Sequence, residues 1–124
     1  MRSEIIIVMV GALVLMTTPT RAQENNSVLA GVGAITCGEF TDLLKRDPVV
    51  DTDYFDWAQG FMTGINWQLN ANVNTRHLQH NLGDMDEDKQ RLHIRRYCGS
   101  HPPEPYLAAV YDLYNQLPTV VAPQ

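Results

Sequence analysis

The sequence predicts a small all-α fold: a bundle of about four helices with one disulfide joining the first helix to the third. Three observations predict it. Apolar residues recur three and four positions apart in four separate stretches, the spacing of one helix face. No stretch alternates apolar and polar residues for long enough to make a strand. Two cysteines, Cys37 and Cys98, fall in the first and third of those stretches.

Residues 1–22 are expected to be a cleaved signal peptide. Arg2 gives a positive start, and Ile5 to Met16 is an apolar run of twelve, too short to cross a bilayer as an ordinary helix. Thr20-Arg21-Ala22 offers small residues before a cut after Ala22. An uncleaved anchor is the alternative, since Arg21 is unusual so close to a cut. Cleavage leaves 102 residues, one domain rather than two. An exported chain tolerates a disulfide, and two cysteines allow one internal pairing. The alternative is two buried free thiols; a redox-active thiol is disfavoured because no Cys-x-x-Cys is present.

Residues 23–34 are polar and then glycine-rich, and read as a flexible lead-in to a helical domain over 35–118, with 119–124 as a tail. Asn25-Asn26-Ser27 formally matches a glycosylation acceptor. Thr36 and Glu39 form a capping box, with Ile35 and Phe40 as the hydrophobic staple. Cys37, Phe40, Leu43 and Leu44 then share one face, and Pro48 ends the helix by disfavouring helical geometry at Asp47. The second helix is expected to start after Asp51 or Asp53, with Tyr54, Trp57, Ala58, Phe61, Ile65 and Leu69 inward and Gln59, Thr63, Asn66 and Asn70 outward.

Gly60 and Gly64 interrupt that second helix on one line. Each costs about 1 kcal/mol against alanine in a helix interior, so another helix or backbone is expected to come close there. A membrane dimer motif is excluded by the polar flanking residues. Residues 70–83 read as an Asn-rich loop. A third helix runs from about Asp84 or Asp86 to Cys98, with Asp84 and Glu87 as a second capping pair and Gly99 as its stop. Pro102, Pro103 and Pro105 make a stiff corner, with Pro105 early in a fourth helix. Leu107, Val110, Tyr114 and Leu117 face inward there, with Tyr106 and Leu113 beside them, and Pro118 ends it.

Charge narrows the class of partner. Without Arg2, Arg21 and Glu4 the mature chain keeps seven Lys/Arg and thirteen Asp/Glu, a net of −6. That disfavours nucleic acid, which needs clustered positive charge. The basic group Arg91, Arg95 and Arg96 follows Asp84, Asp86, Glu87 and Asp88, an order that suits a helix dipole.

No nucleophile stands in a recognisable frame, and there is no Gly-x-Ser-x-Gly, His-Glu-x-x-His or phosphate loop. The expectation is no catalytic residue and no cofactor. His77 and His80, with Asp84 nearby, are the one weak metal candidate; exposed loop histidines are the blander reading, and no metal is expected. His101 reads as part of the corner. Most of the aromatics read as core, whereas Trp67 and Tyr111 fit the inward faces poorly and are the candidate binding residues for another protein.

Two resemblances bear on function. Thr36-Cys37-Gly38-Glu39-Phe40-Thr41-Asp42-Leu43 and Tyr97-Cys98-Gly99-Ser100-His101-Pro102, followed by a final helix, resemble the two cysteine blocks of the periplasmic acid-stress chaperones HdeA and HdeB. That resemblance implies a periplasmic all-helical protein, dimeric at neutral pH, which loosens in acid and holds unfolding clients in solution. Cys37 and Cys98 match that family's bridge, whereas the segment from Trp57 to Gly64 lies outside its pattern. Gly60-Phe61-x-x-Gly64 with Tyr97-Cys98-x-x-His101-Pro102 is also similar to Tai-type immunity proteins, which implies a small periplasmic inhibitor of a cell-wall-cleaving toxin delivered by type VI secretion. Both imply a protein partner.

Overall fold

Helix α1, Cys37–Arg46, begins at the capping box. In the computed structural model, which describes residues 28–120, the Thr36 hydroxyl accepts from the Glu39 amide at 3.2 Å, and the Glu39 carboxylate accepts from the Thr36 amide at 2.7 Å. The next two amides find partners across the fold: Cys37 donates to the Glu104 carbonyl at 2.7 Å and Gly38 to that of Pro102 at 2.9 Å. The amides that a helix start leaves unpaired are thus met by the proline corner. The expected leader over 1–22, the Asn25-Asn26-Ser27 acceptor and the last four residues lie outside the described residues.

Pro48 ends α1 as expected. Helix α2 spans Val50–Asn70, starting before Asp51, with no side-chain cap. The turn itself supplies the start: the Val50 amide donates to the Asp47 carbonyl, that of Asp51 to Pro48, and the Asp47 side chain accepts from the Val49 amide. Asp51 is used elsewhere, paired with Arg91 at 3.5 Å and Arg95 at 3.8 Å across to the third helix.

Helix α3, Glu87–Ser100, is capped by Asp86 rather than by an Asp84–Glu87 pair, and it runs through Gly99 to stop at His101. Gly99 keeps negative φ, and the helix end is tied by the His101 amide to the Tyr97 carbonyl. Helix α4, Tyr106–Gln116, takes Pro105 as its cap residue. No strand occurs among the described residues.

The disulfide joins Cys37 to Cys98, and so α1 to α3. Both cysteines are fully buried among Phe40, Phe55, Ala58, Met62, Ile94, Tyr106, Ala109, Val110 and Leu113. Phe40, Tyr54 and Tyr106 form a ring cluster with centroids 4.8–5.3 Å apart. Leu107, expected inward, is only half-buried, and Ala109 takes its place.

Part of the expected loose lead-in is structured. Gly31–Ala34 forms a 3-10 turn, and Gly33 is buried beneath Trp57. Gly31 has φ of 63°, which only glycine adopts without strain. Within the Asn-rich stretch, Arg76–Leu78 forms a second short 3-10 turn.

Candidate functional site

Helix α2 is amphipathic, but its buried line is rotated from the expected one. Phe55, Ala58 and Met62 are its fully buried residues; Phe55 and Met62 were not among those expected inward. Trp57, Phe61, Ile65 and Leu69 are half-buried. One flank of the apolar arc is therefore only partly covered.

Gly60 and Gly64 border that flank. Among the described residues none supplies the expected close neighbour, because a Cβ built on either glycine would meet nothing within 4 Å. What the missing side chains leave is a groove of about 480 Å³ lined by Gly60, Phe61, Gly64, Ile65, Gln68 and Leu69. The Trp57 and Phe61 rings stack with centroids 5.5 Å apart and planes 11° apart, which stiffens one wall. Trp67 stands one turn beyond Gly64 and is 76% exposed.

Tyr111 is 53% exposed on α4 and stacks on Tyr114, with centroids 6.5 Å apart. No ring contact joins Trp67 to Tyr111 among the described residues, so the two candidates are exposed as expected but do not form one aromatic cluster. Trp67 lies on α2 one turn from Gly64, beside the residues that line the groove rather than among them.

Tyr111 instead borders a polar cluster that closes the end of the bundle. Asn66, expected on the outer face, is half-buried. Its side-chain oxygen accepts from the Tyr114 hydroxyl at 2.7 Å and the His80 amide at 3.0 Å, and its nitrogen donates to the His80 carbonyl at 2.8 Å. Burial pushes the Tyr114 phenol above its ordinary value, which keeps its proton in place as the donor. The His80 ring lies against Tyr114 and places Nδ1 2.6 Å from the Leu117 carbonyl. With Asn81 donating to Pro118 and Val120 to Gln79, these contacts fasten the segment after α4 onto the loop after α2.

Each histidine named from the sequence has a place in this frame. His80 is engaged as above, His77 sits in the exposed 3-10 turn and Asp84 is exposed. Among the described residues no group of three His, Cys, Asp or Glu side chains is gathered as a metal site would require. His101 stacks on Tyr97, with centroids 4.2 Å apart, as part of the corner.

The groove and Trp67 offer apolar surface to bury, and this is chemistry of recognition. Comparison with known proteins adds no relative: no family model, no curated protein and no solved structure matches this chain. The disulfide is the kind of bond that an oxidising compartment permits. No helix among the described residues is long and apolar enough to cross a membrane.

Proposed function

We propose that the protein is a small exported helical binding protein that holds apolar segments of other proteins against the outer flank of α2, acting as an acid-activated holdase. The observation that carries this reading is the uncovered groove beside Gly60 and Gly64, edged by the exposed Trp67. The leader-like residues 1–22 and the Cys37–Cys98 bridge support export to the periplasm, where acid stress is felt directly.

Acid enters through charge. Protonating the thirteen carboxylates and four histidines of the mature chain would take its side-chain charge from −6 to +11. Self-repulsion then opposes the compact state, and more of the apolar surface around α2 is uncovered. Light scattering of an aggregating client at pH 2–3 tests the proposal. The oxidised protein is expected to suppress the signal, and undiminished aggregation rejects the holdase.

One observation favours a second reading. The groove is open while the core around the disulfide is intact, so binding through it does not require acid. An inhibitor or immunity protein that engages one exported partner at neutral pH would use the same face. Co-purification of a single exported protein at neutral pH, lost on Gly64→Leu, with no acid holdase activity, would select this reading.

A further inference from the structure

The exposed edge of α2 has a charge pattern that names the kind of chain it fits. Asp53, Trp57, Gly60, Gly64 and Trp67 lie on one stripe at steps of three and four, and Asp56 flanks it one turn before Gly60. Asp53 and Asp56 are both exposed, and neither has an ion-pair partner among the described residues. Asp51, by contrast, is paired with two arginines. A carboxylate in the first turn complements the helix dipole, but Asp56 lies in the second turn, where that effect has fallen away. No lysine or arginine occurs anywhere from Val50 to Asn70.

The stripe from Asp53 to Trp67 is about 21 Å long at the helical rise, enough for four turns of a second helix. Its middle is backbone laid bare at Gly60 and Gly64, where an apolar side chain can seat between Phe61, Ile65 and Leu69. Its far end is Trp67, an exposed aromatic anchor of the type that dominates interfaces. Its near end is two unpaired negative charges.

We infer that this face takes a basic amphipathic helix of a partner protein. Apolar residues of that helix enter the Gly60/Gly64 groove and cover Trp67, while a lysine or arginine about two turns away meets Asp53 and Asp56. The inference rests on the α2 binding face proposed above and adds the chemical class of its neutral-pH partner. A second copy of this chain fits less well, because α2 could offer its twin carboxylates no cation from the same helix.

Two labelled synthetic helical peptides of about 18 residues, long enough to run the stripe, test it by fluorescence anisotropy at neutral pH. One carries leucine on one face and lysine on the other; its counterpart replaces lysine by glutamate. The oxidised protein recovered from its producing cells is expected to bind the basic peptide at least about tenfold more tightly than the acidic one, with affinity falling as salt rises. Gly64→Leu is expected to weaken binding at least about tenfold, with the melting curve showing that the variant is folded. Asp53→Asn with Asp56→Asn is expected to remove the preference for the basic peptide.

Equal binding of both peptides that still falls on Gly64→Leu would overturn the basic partner while leaving the α2 binding face standing. A basic preference that survives Asp53→Asn/Asp56→Asn would overturn it too, since net charge alone would then be its source. Binding of neither peptide overturns the proposal outright. So does a dimer in sedimentation that disperses on Gly64→Leu, which would assign the stripe to a second copy.

Discussion

The indole of Trp57 lies on the α-carbon of Gly33: a Cβ built there would fall 2.5 Å from Cη2 and 2.7 Å from Cζ2. This is how the segment before α1 is fixed to α2, and it leaves no room for any side chain. Gly33→Ala is therefore expected to destabilise by about 1–3 kcal/mol, as overpacked sites do. A urea titration should show a lower midpoint with an unchanged slope.

The opposite result is expected one face round the same helix. Gly60 and Gly64 have negative φ and open space where a Cβ would go. Alanine at either position removes the conformational freedom that glycine has in the unfolded chain, and is expected to stabilise by about 1 kcal/mol. A rise in melting temperature of about 4–8 °C would register it. Two glycines that weaken a helix without serving its own packing are what a face reserved for another chain would carry.

Much of the framework was legible because local rules and tertiary contacts agree there. Thr36-x-x-Glu39 and Pro48 each report a short-range constraint, two cysteines leave one internal pairing to make, and the structure keeps all of them. Helix α2 was harder to read, because periodicity gives an apolar arc and not the part of it that neighbours cover. Phe61 and Ile65 have the spacing of core residues, yet they end as groove walls. Polarity alone places Asn66 outward; its partners Tyr114 and His80 are 48 and 14 residues away, a pairing no local pattern announces. Gly33 looked like linker because its reason for being small, the Trp57 ring, lies on another element.

The capping box should tie stability to pH. Hydrogen bonds from the Thr36 backbone amide, and then from its hydroxyl, hold the Glu39 carboxyl below its ordinary value of 4.5. A carboxylate with a depressed folded value contributes its full stability above the unfolded value, and loses it as pH falls through the folded one. Glu39→Gln lacks that charge at every pH. The gap between wild type and variant in urea midpoint is expected to be widest above pH 4.5 and to narrow as pH falls below it. A gap that stays constant across this range would show that the carboxylate's charge contributes nothing to the cap.

The bridge between Cys37 and Cys98 closes a loop of 61 residues, which on the chain-entropy account stabilises by about 4 kcal/mol. Domains of this size have roughly 5–15 kcal/mol in all, so the bond is a large share of what holds α1 to α3. Both cysteines are fully buried, and a reductant must wait for the chain to open before it can reach them. The oxidised protein is expected to resist reductant in native buffer and to lose the bond once urea is added. Cys37→Ala/Cys98→Ala should unfold at a markedly lower urea midpoint, with the Glu104 and Pro102 carbonyls still positioned to hold the start of α1 when the variant is folded. Rapid reduction in native buffer would mean that the chain opens readily around the bridge, and that the proline corner does little to keep the start of α1 in place.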